Sequence, residues 1–182
     1  MLHAGADEAG RGTLISRIYA SAVILDDSLP LPSAIRDSKK LKPNHRASLR
    51  KYIEACAIDY SVVYVDADII DDINIRQANI MAFNMAIDKL NVKTDIVYID
   101  GNDFIPNEKN KNVAFETIIK GDAKVKAISA ASILAKEHHD EYIRELCAIH
   151  PDLIDKYDLL SNKRYGTQKH IDGIKKYGPS PY

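Results

Sequence analysis

The order of strand-like and helix-like segments constrains the fold of this chain more than any other feature. Residues 2–7 and 18–25 are predicted to form two strands joined by a glycine-rich turn. Further strands are predicted where β-branched and aromatic residues gather, at residues 60–65, 95–100 and 113–119. A pair of strands followed by strands that alternate with helices indicates a mixed sheet with helices packed on its faces.

The predicted helices lie between and after these strands. Apolar residues repeat at helical spacing at Leu49, Tyr52, Ile53 and Cys56, after Pro43, and again at Ala78, Met81, Ala82, Met85, Ala86 and Leu90. An Ala-rich helix is predicted over residues 126–149, ended by Pro151, and a short helix over residues 168–177. We therefore expect an α/β protein in which residues 1–150 form one domain and residues 151–182 a short helical extension of it.

Composition excludes several classes of protein. The chain is 46% hydrophobic and 28% charged, as expected for a globular domain with a real core. Cys56 and Cys147 are isolated, which argues against a zinc site and favours a reducing compartment.

No signal-peptide pattern opens the sequence, and no apolar run approaches the roughly 20 residues of a membrane helix. We expect a cytoplasmic, monomeric protein. The formal net charge of -1 does not decide whether nucleic acid is a partner, because basic residues cluster locally.

Carboxylates stand at the predicted ends of strands. Asp7 and Glu8 lie where the first strand meets the glycine turn, Asp100 ends a later strand, and Asp122 follows Lys120 and Gly121 at the expected start of the long helix. Ligand sites of α/β sheets prefer strand ends, and acids that converge there need a cation. Mg²⁺ and Mn²⁺ take such oxygen ligands. Ordinary solvated surface acids are the alternative on spacing alone.

Five short motifs occur in order along the chain. They are residues 4–12 (AGADEAGRG), 37–41 (DSKKL), 99–102 (IDGN), 120–122 (KGD) with 128–136 (ISAASILAK), and 165–167 (YGT) with His170. Each motif alone is a weak signal. Together they span nearly the whole chain, and in this order they resemble the motifs of type 2 ribonucleases H.

The resemblance implies a ribonuclease H fold and a metal-dependent nuclease. It implies that Asp7, Glu8, Asp100 and Asp122 are catalytic and hold two Mg²⁺ or Mn²⁺ ions. The expected substrates are RNA–DNA hybrids and single ribonucleotides embedded in duplex DNA. Cleavage on the 5′ side of a ribonucleotide would leave 5′-phosphate and 3′-hydroxyl ends.

The same resemblance assigns residues to the substrate. Gly10, Arg11 and Gly12 would read the ribose through main-chain groups, and Tyr165 would stack on the sugar of the nucleotide that follows. Without the resemblance, a plain glycine turn and a packing tyrosine are the simpler interpretations. Lys39 and Lys40 are predicted to hold backbone phosphates, with a solvated loop as the alternative.

The sequence departs from the family pattern in two places. Residues 13–17 (TLISR) replace a stretch that usually contains proline and glycine, and Arg164 replaces a usual glycine. Both departures lie beside residues expected to contact substrate.

Three other functions compete with this one. A type 3 ribonuclease H shares the fold and the chemistry, but usually has an N-terminal substrate-binding domain and a lysine in place of Arg11. A non-catalytic nucleic-acid-binding protein on the same scaffold would lack an acid, and none is missing. A phosphatase or DNA-specific nuclease would have no use for residues that read a 2′-hydroxyl group.

Overall fold

The centre of the molecule is a mixed β-sheet. The computed structural model describes residues 1–15, 17–26, 28, 43–162 and 165–182. Within them one five-stranded sheet has the order β3-β2-β1-β4-β5. The strands are β1 (His3–Ala9), β2 (Ile18–Ile24), β3 (Asp59–Val65), β4 (Ile96–Asp100) and β5 (Ala114–Ile118). β1 is antiparallel to β2 and parallel to β4, β2 is antiparallel to β3, and β4 is parallel to β5. The predicted mixed sheet is confirmed.

Helices cover both faces of this sheet. They are α1 (Pro43–Cys56), α2 (Ala67–Ile73), α3 (Ile75–Asp88), α4 (Lys126–Ile149), α5 (Asp152–Tyr157) and α6 (Gln168–Tyr177), with a 3₁₀ turn at Gly121–Ala123. Two of them, α4 and α6, have the bounds that the sequence predicted. None of the helices in the described ranges is long and apolar enough to cross a membrane.

The core lies in separate apolar clusters on the two faces. One cluster joins Ile18 and Ile24 of the sheet to Phe83 of α3. The other joins Val23, on the opposite face of β2, to the buried residues of α1 and α4. Side chains of a strand alternate between its faces, so the fully buried sequence of β2 fits a strand covered on both sides. The sheet thus has helices packed on both of its faces, as the predicted α/β class requires.

A very close approach fixes α4 on the sheet. A Cβ atom added to Gly5 of β1 would lie 2.1 Å from the backbone nitrogen of Ile128 and 2.2 Å from the carbonyl carbon of Ala127. No side chain fits between these backbones. Gly5 therefore sets both the distance between α4 and β1 and the position of α4 along the strand.

Several details of the sequence prediction were wrong. Helix α2 was not anticipated, and α5 was expected only as part of the helical extension, without bounds of its own, because neither is long enough to show a clear helical period. Met81, assigned to the apolar stripe of α3, is 39% exposed, while Phe83 is fully buried. Asp122 lies in the separate 3₁₀ turn and not in the long helix, which begins at Lys126.

The C-terminal helices share a third apolar cluster with the end of α4. This cluster joins Leu146 and Cys147 of α4 to Leu153 and Tyr157 of α5, and it includes Ile15 from the loop between β1 and β2. The loop that follows the glycine turn is therefore anchored in the C-terminal part of the molecule.

Substitution of Gly5 tests the close contact of α4 with the sheet. We expect Gly5→Ala to lower the free energy of unfolding by about 3 kcal/mol, the upper end of the usual cost of overpacking, because backbone atoms cannot yield as side chains do. Urea unfolding gives this value. Gly12→Ala is the matched control, since its added Cβ would lie 3.3 Å from the exposed ring of Tyr165. Equal stability of the Gly5→Ala and Gly12→Ala variants would contradict the packing.

Candidate active site

A cavity of about 400 Å³ opens at the carboxyl ends of β1 and β4. Most of the side chains and turns singled out in the sequence line it: Asp7, Glu8, Gly10, Arg11, Gly12, Asp100 and Tyr165. Residues that are 158 positions apart in the chain thus meet in one place, at the edge of the sheet where α/β proteins bind ligands.

Parallel pairing of the two central strands brings Asp7 and Asp100 together. The register pairs Ala6 of β1 with Ile99 of β4, and each aspartate follows directly in its strand. Neighbouring positions in a parallel pair point to the same face of the sheet. The strand register is therefore the cause of this carboxylate pair.

Asp7 is buried beside other acids. Its side chain is only 4% exposed, it accepts a hydrogen bond from the backbone N–H of Glu8 (2.8 Å), and it is hydrogen-bonded to Ser132 of α4. Burial, followed by the negative charges of Glu8 and Asp100, raises the pKa of Asp7 well above its usual range. The free protein thus holds this carboxylate at an energetic cost.

The pKa of Glu8 is affected by burial, by a neighbouring acid and by a neighbouring cation. Burial and the negative charge of Asp100 raise the pKa of the Glu8 carboxyl, while the nearby guanidinium of Arg11 acts in the opposite direction. Arg11 belongs to the glycine turn, so this turn supplies positive charge at the rim of the acidic site.

The 3₁₀ turn before α4 holds Asp100 in place. The backbone N–H of Gly121 donates a hydrogen bond to Oδ1 of Asp100 (2.6 Å), and that of Asp122 lies 3.4 Å from the same oxygen. A Cβ at Gly121 would be 2.6 Å from the side chain of Ile128, so the turn needs glycine to approach this closely. Asp122 is buried but does not line the cavity; it adjoins the site through Asp100.

The donor atoms suit a hard cation, although they do not form a finished metal site. Among the residues that the structure describes, no three His, Cys, Asp or Glu side chains are grouped so that they could hold a metal ion. Mutually repelling carboxylates beside a cavity nevertheless offer the oxygen ligands that Mg²⁺ and Mn²⁺ take. Mg²⁺ commonly binds one or two carboxylates together with substrate phosphates, so a closed cage in the free protein is not required.

The glycine turn also lines the cavity. Gly10 has a φ of +105°, and a Cβ there would lie 2.6 Å from the carbonyl oxygen of Arg17 and 3.0 Å from Nε2 of His139. The backbone N–H and the hydroxyl group of Thr13 both donate to the carbonyl oxygen of Gly10, at 3.3 and 2.8 Å. The turn is therefore closed by its own hydrogen bonds, and the Arg17 carbonyl and the His139 ring pack closely against Gly10.

Tyr165 lies against this turn. A Cβ at Gly12 would be 3.3 Å from Cε1 of the Tyr165 ring, which is half-exposed. The backbone carbonyl of Tyr165 accepts a hydrogen bond from the N–H of Thr167 (2.8 Å) and lies 3.2 Å from Nδ1 of the buried His170. An exposed aromatic ring on a fixed backbone is thus presented beside the turn.

The structure adds residues to the cavity that sequence reasoning did not assign. Arg46 of α1 and Lys136 and His139 of α4 all line it. Arg46 donates to Asp140 (2.9 Å), and Lys136 donates to the same carboxylate (2.9 Å). The four-residue step between Ser132 and Lys136 within the ISAASILAK motif was the available signal, since it places both on one face of a helix.

Other sequence assignments have separate outcomes. His138 and His139 point apart, as expected of adjacent helical residues: His138 lies 3.5 Å from Glu54, and His139 faces Gly10. Lys39, Lys40 and Arg164 lie outside the described residues, and so does the whole DSKKL motif.

Fold and site together define a ribonuclease H-like α/β protein. The crystal structure of ribonuclease H2 from Pyrococcus horikoshii OT3 superimposes with a TM-score of 0.78 at 26% identity, covering all of this chain and 90% of that one. The sequence model of the Ribonuclease HII family matches residues 4–181. The chain belongs to the ribonuclease HII family, whose members are endoribonucleases. The predicted fold class, family and enzyme class are confirmed.

Relatives support the same assignment along the full length. Ribonuclease HII of Phocaeicola vulgatus is 40% identical over 182 residues, which are all of this chain and 87% of that protein. Ribonuclease HII of Bordetella avium is 41% identical over 178 residues, covering 98% of this chain and 84% of the relative. The Mn²⁺ complex of a type 3 enzyme, Bst-RNase HIII, shares the fold with a TM-score of 0.65 but only 15% identity. The type 3 alternative is therefore not favoured.

Removal of the buried Asp7 carboxylate should stabilise the protein when metal is absent. The folded state raises the pKa of Asp7, so its ionisation costs stability as the pH rises above the usual value of 3.8. In EDTA at neutral pH we expect Asp7→Asn to melt at a higher temperature than the wild type. The difference should shrink as the pH falls through the raised pKa of Asp7. Melting curves between pH 4 and 8 measure it.

Asp152→Asn is the control of opposite sign for this experiment. A hydrogen bond from Lys156 lowers the pKa of the Asp152 carboxyl, so its loss should not raise the melting temperature at any pH in that range. A wild type more stable than Asp7→Asn at neutral pH would contradict the electrostatic account of the site.

Proposed function

We propose that this ribonuclease HII cleaves the RNA strand of RNA–DNA hybrids and also cuts duplex DNA at single embedded ribonucleotides. The observation that carries the proposal is the meeting of buried acids, a glycine turn and an exposed tyrosine in one cavity. The acids supply the hydrolytic chemistry, and the turn and the tyrosine supply a means of recognising ribose. The products would have 5′-phosphate and 3′-hydroxyl ends.

Asp7, Glu8, Asp100 and Asp122 are proposed to hold two divalent cations, Mg²⁺ or Mn²⁺. When bound, such ions activate a water molecule and neutralise the charge that develops on the leaving oxygen. Asp7 and Asp100 are supported in this role by their adjacent register positions, and Asp122 by its backbone link to Asp100. The buried Ser132 orients Asp7, and Gly121 orients Asp100.

Cationic side chains that line the same cavity as the acids are suited to the phosphate backbone. Arg46 and Lys136 line the cavity and are both held by Asp140, so their positions are fixed before substrate arrives. Arg11 adds a third positive charge at the rim. Lys39 and Lys40 are proposed to bind further phosphates, a role that rests on the motif they share with the family.

The glycine turn is proposed to read the 2′-hydroxyl group. Gly10, Arg11 and Gly12 expose main-chain groups at the cavity wall, and the absence of side chains on the two glycines allows a sugar to approach closely. A hydroxyl group that both donates and accepts hydrogen bonds distinguishes ribose from deoxyribose. Tyr165, whose ring lies near Gly12, is proposed to stack on the adjacent sugar.

The remaining expectations concern the state of the protein. We infer that the enzyme acts as a monomer in a reducing, cytoplasmic compartment. Neither Cys56 nor Cys147, both within the described residues, forms a disulfide, which suits such a compartment.

Loss of one cavity carboxylate should abolish cleavage without loss of the fold. We expect Asp100→Asn to lower kcat by at least about a thousandfold on an RNA–DNA hybrid, because the metals would lose a charged ligand. Circular dichroism should be unchanged. Asp103→Asn is the matched control: it removes an acid three residues away that binds Arg76 outside the cavity. Activity of Asp100→Asn near that of Asp103→Asn would refute the assignment of Asp100.

Tyr165 should matter most where one ribose must be found among deoxyriboses. Stacking depends on the ring, so Tyr165→Phe should keep nearly full activity. Tyr165→Ala removes the ring and should therefore lower the activity. We expect the Ala variant to lose about tenfold more kcat/KM on a single embedded ribonucleotide than on a continuous hybrid, as loss of one stacked ring costs about 1–3 kcal/mol. Steady-state kinetics on both substrates test this. An unaltered ratio would mean that Tyr165 does not sense the junction.

A further inference from the structure

Arg17, at the end of the loop that begins with the glycine turn, is held by an unusual set of contacts. Its guanidinium carbon lies 4.2 Å from the ring centroid of Tyr64 and 4.4 Å from that of Tyr142. Tyr64 belongs to β3 and Tyr142 to α4. The guanidinium thus lies between aromatic rings of two different elements. A cation–π interaction that is partly shielded from water is stronger than one at a fully exposed site.

Two polar contacts complete this arrangement, which we call the Arg17 clamp (Arg17, Tyr19, Tyr64, Asp66 and Tyr142). Nε of Arg17 donates a hydrogen bond to Oδ1 of Asp66 at 2.5 Å, and the guanidinium is also hydrogen-bonded to the hydroxyl group of Tyr19. The side chain of Arg17 is 27% exposed. An arginine held by an acid, a hydroxyl group and two rings has little freedom to move.

The clamp reaches the glycine turn by two routes. The carbonyl oxygen of Arg17 lies so close to Gly10 that a Cβ there would be 2.6 Å away. Tyr19 of the clamp also packs edge-on against His139, with ring centroids 5.8 Å apart, and the imidazole of His139 supports Gly10 from below. A displacement of the Arg17 backbone therefore displaces Gly10.

The loop transmits this position to Tyr165 as well. Leu14 contacts the residue next to Tyr165, because a Cβ at Gly166 would lie 3.1 Å from its side chain. Leu14, which follows the turn, is thus close to the tyrosine segment, and a Cβ added to Gly12 of the turn would lie 3.3 Å from the Tyr165 ring.

We propose that Arg17 is a positioning residue that sets the register of the glycine turn against the ribose, and so sets the selectivity for an isolated ribonucleotide. The inference rests on the proposed ribose-reading function of that turn. Arg17 does not line the cavity that contains Asp7, Glu8 and Asp100, so the hydrolytic step itself should not depend on it. In an all-ribose strand a displaced turn meets a 2′-hydroxyl group at every position. In a strand with one ribose it must be placed correctly.

The test compares two substrates in Arg17→Met, which keeps an unbranched, flexible side chain and removes the guanidinium group with its charge. We expect kcat/KM on duplex DNA with one ribonucleotide to fall about tenfold more than kcat/KM on a continuous hybrid, since small misplacements of a positioning group carry large rate penalties. Tyr142→Phe keeps the ring face over the guanidinium and should retain the wild-type ratio. Tyr142→Leu removes that face and should shift the ratio in the direction of Arg17→Met.

Arg50→Met is the matched control. Arg50 is similarly half-buried, with 21% side-chain exposure, and its hydrogen bonds to Glu54 and Glu141 also tie two elements together, but it does not line the cavity or contact the turn. Arg50→Met should lower the melting temperature about as much as Arg17→Met does, and it should leave the ratio of kcat/KM on the two substrates unchanged. If Arg17 had a purely structural role, Arg17→Met would also leave the substrate ratio unchanged, with kcat/KM on both substrates reduced by the same factor.

The outcomes separate this inference from the function on which it rests. A wild type that cuts neither substrate would refute the proposed function. A wild type that cuts both, with a ratio unaltered in Arg17→Met and Tyr142→Leu, would overturn the positioning role alone. Melting curves of each variant establish that the protein is folded at the assay temperature.

Discussion

The contact between Gly5 and the backbone of α4 determines where the rest of the site lies. With no side chain at Gly5, the helix rests directly on β1, and Ile128 is fixed above that point. Each further turn of α4 then delivers one residue along the strand: Ser132 reaches Asp7, Lys136 enters the cavity, and His139 supports Gly10. One backbone contact thus aligns an acid, a cation and the glycine turn.

The site has an electrostatic cost that this packing must sustain. Asp7 and Glu8 are buried with Asp100 close by, and burial and mutual repulsion raise the pKa of Asp7 and of Glu8. Such groups are kept where function requires them, since the fold would be more stable without them. Of the neighbouring cations, Arg11 acts against the raised pKa of Glu8, while Arg46 and Lys136 are themselves bound to Asp140. Acids and cations thus line one cavity, a combination that suits a divalent metal and a phosphate.

Residue patterns in the sequence were sufficient to predict the long elements. Most strands were predicted from their β-branched and aromatic residues, and α4 from an Ala-rich helical pattern that Pro151 ends, and the structure confirms these elements. Helices α2 and α5, of seven and six residues, are too short to carry such a pattern. The burial of Phe83 in place of Met81 depends on how α3 is rotated against the sheet, which no local signal specifies.

The site could be predicted in part, because its motifs are local while its geometry is not. Asp7, Asp100 and Tyr165 were singled out from the sequence and do meet in one cavity. Arg46 comes from a different helix and could not be placed without the fold. The Arg17 clamp joins β2, β3 and α4 through single residues with no common motif, so it becomes visible only in three dimensions.

The central claim is that one cavity both recognises a ribose and cuts beside it. The most direct measurement is the mapping of products from duplex DNA that carries a single ribonucleotide, with an otherwise identical all-DNA duplex in parallel, both in Mg²⁺. The account predicts one cut, on the 5′ side of the ribonucleotide, which leaves a 5′-phosphate and a 3′-hydroxyl group, and no cleavage of the all-DNA duplex. Cleavage of both duplexes, or a cut placed without regard to the ribose, would contradict it.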